Sequence, residues 1–146
     1  MNYLVMCVGN RRGGDDAIGP YIADKLKSSE DFAVIDCGTT PENYTSVVKQ
    51  CKPKQVVIID AVEMDLNPGE IRIVPKEKIG NMHVSTHNIP ISILIQYLER
   101  HVENILFIGI QPKTMSGQIS MPVKKSGEKL IKLIEKNKLK QIETLH

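Results

Sequence analysis

The chain has 146 residues, of which 41% are hydrophobic and 25% charged, and its formal net charge at pH 7 is +2. Length and composition predict one globular domain over residues 1–146 with a sizeable core. The small net charge gives no reason to expect nucleic acid or an anionic membrane as a partner, and no apolar stretch reaches the roughly 20 residues of a membrane span.

The segments up to residue 61 alternate between strand-like and helix-like patterns. Three apolar runs predict strands buried on both faces, and two segments between them predict helices. In chain order these are strand 3–8, helix 17–28, strand 32–37, helix 41–51 and strand 55–61. Asp16 is a candidate N-cap of the first helix.

The rest of the chain continues this alternation with one exception. The segment 70–74 alternates like a strand with one exposed face, and only a short turn region separates it from the preceding strand. This connection is too short for a parallel crossover, so we expect an antiparallel strand at an edge of the sheet. A helix capped by Asn88, a buried strand at 104–110 and a C-terminal helix around Leu130 follow. The pattern is typical of a three-layer α/β domain with a mainly parallel sheet and helices on both faces.

The N-terminal segment and the cysteines predict the compartment. MNYLVMCVG has no basic leader, so we expect a first strand there and no signal peptide. The three cysteines have no CxxC spacing, which favours a reducing cytoplasm with each thiol a small core residue. A cysteine nucleophile is a minor alternative, because neither Cys7 nor Cys37 has a histidine beside it.

The glycine-rich loop after the first strand, GNRRGGDD (9–16), differs from a phosphate-binding loop. No GKS or GKT follows it, and its acidic pair would repel phosphate. A loop that presents carboxylates suits a cation better than an anion.

Three residues at the predicted carboxyl ends of the strands form a candidate metal site, because sites in open α/β sheets lie in that crevice. Asp16 follows the first strand, Asp60 ends the third, and His87 stands at the entrance of a helix. Two carboxylates and one imidazole suit a divalent transition metal, and three protein ligands leave coordination positions free. The alternative for each residue is structural: a helix cap, a buried strand end or a bond at the helix entrance.

One difficulty is that the antiparallel strand should leave the chain at the wrong side of the sheet for His87. The connection 75–87 has 13 residues, which span about 40 Å at ~3.3 Å each, so the chain can return.

Asp36 ends the second predicted strand and is followed by Gly38 and Thr39. It lies near the distance at which a dinucleotide-binding fold places its ribose-binding acid, so that fold remains an alternative.

Four segments resemble, in order and spacing, the hydrogenase maturation proteases, which trim the C-terminal extension from the large subunit of nickel–iron hydrogenases. They are CVGNRRGGDDAIGP, IIDAVEMDLNPGEIRI, STHNIPISILIQYL and ILFIGIQP. The resemblance is nearest to the branch that matures formate-hydrogenlyase-type enzymes. It implies a five-stranded twisted sheet flanked by helices.

The resemblance also implies the roles of the site residues. Asp16, Asp60 and His87 would bind nickel and carry the catalysis. The nickel would be supplied by the substrate, a nickel-loaded large-subunit precursor, and other divalent metals would be able to substitute for it. Activation of water by the metal and activation by a carboxylate both remain open. We expect the enzyme to act as a monomer, without nucleic acid or membrane.

The resemblance assigns substrate recognition to Asp36, with Gly38 and Thr39 beside it. Cys37 departs from the pattern, because the family has a glycine at that position. Arg11 and Arg12 also depart from it, in a loop that is often apolar or small.

Two functions of other classes remain open from the residues themselves. One is a non-enzymatic nickel carrier that uses Asp16, Asp60 and His87. The other is a nucleotide-dependent enzyme with Asp36 on a ribose.

Overall fold

Strands and helices alternate along the chain in the computed structural model, which describes residues 2–80, 83–84 and 89–146. The strands are β1 (Tyr3–Val8), β2 (Phe32–Gly38), β3 (Gln55–Glu63), β4 (Ile71–Ile73), β5 (His83–Val84) and β6 (Asn104–Ile110). The helices are α1 (Ile18–Lys25), α2 (Thr45–Cys51), α3 (Lys76–Ile79), α4 (Ile91–Leu98) and α5 (Met121–Glu135). Short 3-10 turns cover Gly14–Ala17, Pro41–Tyr44 and Leu139–Gln141.

Five of the strands form the main sheet in the order β2-β1-β3-β6-β4. The first four are parallel, and β4 runs antiparallel to β6 at the edge. The five-stranded, mainly parallel sheet with one antiparallel edge strand is therefore confirmed. The outer side of β4 is covered by the C-terminal segment, since Ile73 forms a parallel bridge with Thr144.

Helices cover both faces of the sheet, as the sequence predicted. Alternate residues of β1 and β3 divide between two apolar cores because successive side chains of a strand point to opposite faces. One core holds α1 and α5 through Ile18, Ile22 and Leu130. The other holds α2 and α4 through Val48 and Leu94. None of the described helices is long and apolar enough to cross a membrane.

The first helix is shorter than the predicted 17–28, since it ends at Lys25, and its predicted N-cap is wrong. The α-helix begins at Ile18 with Ala17 at the N-cap position, and the Gly14–Ala17 turn precedes it. Asp16 lies within that turn and makes no side-chain cap hydrogen bond. The reason is local, because its carboxylate accepts the backbone N–H of Asn10 instead.

The chain returns to the carboxyl edge of the sheet, as the length of the connection allowed. The two-residue strand β5 pairs antiparallel with the end of β3, where Val62 faces Val84 and Glu63 faces His83. The predicted cap Asn88 and the site residue His87 lie outside the described residues.

Candidate active site

The loop after β1 is held in a tight path by close backbone contacts. A Cβ atom added at Gly9 would lie 1.9 Å from the carbonyl oxygen of Asp16, so only glycine fits there. The Asn10 side chain accepts the N–H of Arg12 at 2.9 Å, and the Asp16 N–H bonds to the Gly13 carbonyl at 3.1 Å. These contacts fix the position of the Asp16 backbone at the end of the first strand.

The side chain of Asp16 is 4% exposed and only half satisfied. Its Oδ2 accepts the N–H of Asn10 at 3.1 Å, whereas its buried Oδ1 accepts no hydrogen bond from the described residues. Buried polar atoms almost always have partners, so an exception in a native fold needs an explanation. Oδ1 is therefore a buried carboxylate oxygen that no donor of the described residues satisfies.

Asp15, the neighbouring acid, is buried but fully bonded. Its Oδ2 accepts the N–H groups of Lys113 at 2.7 Å and Thr114 at 3.0 Å and the hydroxyl of Ser120 at 2.9 Å, and its Oδ1 accepts the Ser120 N–H at 2.6 Å. Burial alone would raise the pKa of Asp15, but these hydrogen bonds outweigh it and hold the pKa below its ordinary value. Asp15 therefore anchors the 113–120 loop, and the structure separates its role from that of Asp16.

Asp60 is fully buried near the carboxyl end of β3. Its side chain lies on the face of Ile58 and Val62, because these residues alternate with those packed against α1 and α5. Its Oδ1 accepts the N–H of Ala61 at 2.8 Å. The Gly14–Ala17 turn packs against β3, so the elements that carry Asp16 and Asp60 are in contact.

His87, the third predicted member, lies outside the described residues, and its place in the site stays a prediction. Within the described part of the chain, no group of three or more His, Cys, Asp or Glu side chains is arranged to hold a metal ion. The backbone at 83–84 pairs with β3 just beyond Asp60, and this pairing ends three residues before His87.

Arg11 joins the first loop to α1 and β2. Its guanidinium donates to both carboxylate oxygens of Asp24 at 2.8 Å and to Oδ2 of Asp36 at 2.6 Å. These hydrogen bonds raise the pKa of Arg11, and the pair with Arg11 lowers the pKa of Asp24. Asp36 also accepts the N–H of Gly38 at 3.1 Å, so each of its two oxygens has a donor.

The residues after Asp36 form a turn, although Cys37 stands where the family pattern has a glycine. Gly38 has a φ of +54°, a left-handed conformation that favours glycine, and Cys37 is buried beneath it. Burial, with the charges of Asp36 and Glu42, raises the pKa of the Cys37 thiol to about 12. Burial likewise raises the pKa of Cys7. Both thiols are therefore protonated at neutral pH, which disfavours a cysteine nucleophile.

The family model described as hydrogenase maturation protease matches residues 18–137. The chain belongs to the hydrogenase maturation protease family. It is a hydrolase, an endopeptidase of hydrogenase maturation. Family membership therefore decides for the protease over the nickel carrier and the nucleotide-dependent enzyme.

Individual relatives of this maturation protease agree with the family match. The chain is 36% identical over 140 residues to the hydrogenase 3 maturation protease of Escherichia coli, covering 92% of this chain and 90% of that protein. The solution structure of the endopeptidase HycI from Escherichia coli matches with a TM-score of 0.89 at 32% identity, covering 100% and 97% of the two chains. The crystal structure of the nickel–iron hydrogenase maturation protease HycI from Thermococcus kodakarensis matches with a TM-score of 0.83 at 30% identity, covering 94% and 92%.

Sequence reasoning missed the roles of two buried residues of this maturation protease. Asp15 bonds to groups 98 to 105 positions away, and such a pairing forms no local motif. Gln111 is buried after β6 and accepts the N–H of Met64 at 2.7 Å, thereby fixing the loop that follows β3. The signals were the adjacent acids in GGDD and the polar residue ending the apolar run ILFIGIQ, and neither discloses its partners.

Proposed function

We propose that this protease removes the C-terminal extension of a hydrogenase large-subunit precursor after nickel insertion and recognises the bound nickel. Asp16, Asp60 and His87 are the residues that contact the nickel. The metal belongs to the substrate, so the protein itself needs no resident ion. Other divalent metals of similar preference can replace nickel in this contact.

The observation that carries this proposal is the unpartnered Oδ1 of Asp16. It is buried in a tight turn at the carboxyl edge, beside the strand that carries Asp60. A buried carboxylate oxygen without a donor is destabilising in the free protein, and a cation that docks against it removes that cost. Membership of the hydrogenase maturation protease family indicates the substrate that carries this cation, a nickel-loaded large-subunit precursor.

The donor set suits a shared metal. Carboxylate oxygen and imidazole nitrogen are borderline ligands that bind nickel, and three of them leave positions for ligands of the precursor. The precursor's cysteine thiolates supply those remaining ligands. Docking through the metal then holds the scissile peptide beside the two carboxylates, where water attacks it.

Substrate recognition beyond the metal falls to Asp36, Gly38 and Thr39 at the end of β2. A groove of about 380 Å³ lies beside the Gly14–Ala17 turn and is lined in part by Arg11 and Ile119, which offers room for an extended peptide. We further propose that residues 1–146 act as a single monomeric domain in the cytoplasm, where three free cysteines are stable.

The decisive experiment compares two forms of one precursor. The purified protease is mixed with nickel-free and with nickel-loaded large-subunit precursor, under a chelator too weak to strip the loaded form, and products are weighed by mass spectrometry. Only the loaded precursor should be shortened, and its loss should correspond to a C-terminal peptide. Equal cleavage of both forms would refute recognition through nickel, and no cleavage of either would refute the proposed substrate.

Arg11 provides a test of the Asp36 assignment. Arg11→Ala removes the guanidinium that orients the Asp36 carboxylate, so KM for the loaded precursor should rise about 3- to 10-fold, as expected for one lost charge-assisted contact. The value of kcat should stay unchanged. The free energy of unfolding should change by less than about 1 kcal/mol, because the Arg11 side chain is half exposed.

Arg12→Ala is the matched control, since Arg12 is an exposed neighbour in the same loop. Its KM should equal that of the wild type. Equal KM values for both variants would contradict the role given to Arg11.

A further inference from the structure

Glu42 lies in a well-fixed turn at the same edge of the sheet as the candidate site. The turn Pro41–Tyr44 begins three residues after the end of β2 at Gly38, and Pro41 is buried at its start. The Asn43 N–H bonds to the Thr40 carbonyl at 3.0 Å, and the Thr45 hydroxyl donates to the Glu42 carbonyl at 3.3 Å. The backbone that carries Glu42 is therefore held in place.

The side chain of Glu42 has a buried oxygen without a partner. Its Oε1 accepts no hydrogen bond from the described residues, and the only other such side-chain atom in the described part of the chain is Oδ1 of Asp16. An unsatisfied buried acceptor costs free energy in the folded protein, so its presence calls for an explanation. The metal contact proposed above accounts for Asp16 and leaves Glu42 unused.

The turn that carries Glu42 packs on the face of the sheet that bears Asp60. Tyr44, in the same turn, packs against the apolar core that contains Cys37. Cys37 packs in the same apolar core as Ile58 and Val62, the residues that flank Asp60 on its face of the sheet. Asp36, by contrast, pairs with Arg11 on the side of α1. The turn that carries Glu42 and the side chain of Asp36 thus lie on opposite faces of the sheet at the end of β2.

We propose that Glu42 contacts the substrate, its Oε1 accepting an N–H from the precursor segment that docks at the carboxyl edge. This inference rests on the proposed function and adds to it a peptide-binding residue outside the metal contact. The donor is a backbone amide or a basic side chain, both of which a carboxylate accepts.

The test uses Glu42→Gln, which keeps the size of the side chain and removes its charge. KM for nickel-loaded precursor should rise about 3- to 10-fold, because the glutamine oxygen still accepts the N–H but without the charge that roughly doubles the strength of such a bond. The value of kcat should stay within about twofold, because the contact lies away from the reacting bond. The melting temperature should stay the same or rise, since the variant loses an ion that lacked a partner.

Glu103→Gln is the matched control, because Glu103 is exposed directly before β6, at the opposite edge of the sheet. Its KM and melting temperature should equal those of the wild type. A Glu42→Gln variant with wild-type KM, with or without a lower melting temperature, would overturn the inference and leave the proposed function standing. Absence of cleavage by the wild-type chain would overturn both.

Discussion

Asp60→Asn is expected to lower cleavage of nickel-loaded precursor by at least about 100-fold. Substituting a residue that only supports a metal ligand costs up to about 100-fold, and Asp60 is proposed to contact the metal directly. The substitution preserves the shape of the side chain, and the amide oxygen still accepts the Ala61 N–H that bonds to Asp60 now. What is lost is the negative charge that a metal-bound substrate requires. Circular dichroism should show an intact fold, and mass spectrometry of the precursor should show little or no product.

Asp16→Asn should reduce cleavage to the same extent with an added signature in stability. Because Oδ1 of Asp16 has no donor among the described residues, the neutral amide should leave the melting temperature unchanged or higher. A gain or preservation of stability together with loss of activity distinguishes a functional group from a structural one. His87→Ala is expected to reduce cleavage likewise.

Asp65→Asn is the control for both substitutions. Asp65 is exposed in the turn after β3 and has a φ of +59°, a conformation that asparagine adopts readily. It should retain wild-type cleavage and stability. A fully active Asp60→Asn enzyme would refute the metal-site assignment.

The strands were predictable because their sequences meet one simple physical condition. Runs such as 55–61 are β-branched and uncharged up to Asp60, as burial on both faces of a parallel sheet requires. The antiparallel edge strand followed from chain length alone, since the turn before Ile71 is too short for a crossover. Local pattern and connection length therefore determined the sheet.

The details that depend on distant partners were not predictable. The predicted N-cap was wrong because Asp16 bonds to Asn10 instead of capping the helix. The two-residue strand β5 is too short to carry a periodic pattern. The lack of a partner for the Glu42 oxygen depends on its three-dimensional surroundings and is not predictable from the local segment PENY (41–44). The sequence therefore predicted which acidic residues lie at the carboxyl edge of the sheet, and their contacts in the structure distinguish their roles.

The adjacent acids Asp15 and Asp16 should respond to the same substitution in opposite ways. Asp15→Asn places an NH₂ group against at least one of the four donors that now bond to the carboxylate, three of which are backbone N–H groups. We expect the free energy of unfolding to fall by about 2–4 kcal/mol, the cost of disrupting buried hydrogen bonds to a charged group. The melting temperature should fall by roughly 6–12 °C, at ~3 °C for each kcal/mol in a chain of this size.

The pH dependence of the stability difference between the wild type and Asp15→Asn is a second test of the role of Asp15. The pKa of Asp15 in the folded state lies below its ordinary value of 3.8, so its stabilising contribution is complete above that pH and is lost as the pH falls through the folded-state pKa. The gap between wild type and Asp15→Asn should thus be constant from about pH 7 to about pH 5 and shrink in stronger acid. Asp24→Asn is the control: its pKa is lowered by Arg11, but its exposed ion pair should contribute no more than about 1 kcal/mol. Equal losses from the two substitutions would contradict the role of Asp15 as the buried anchor of the 113–120 loop.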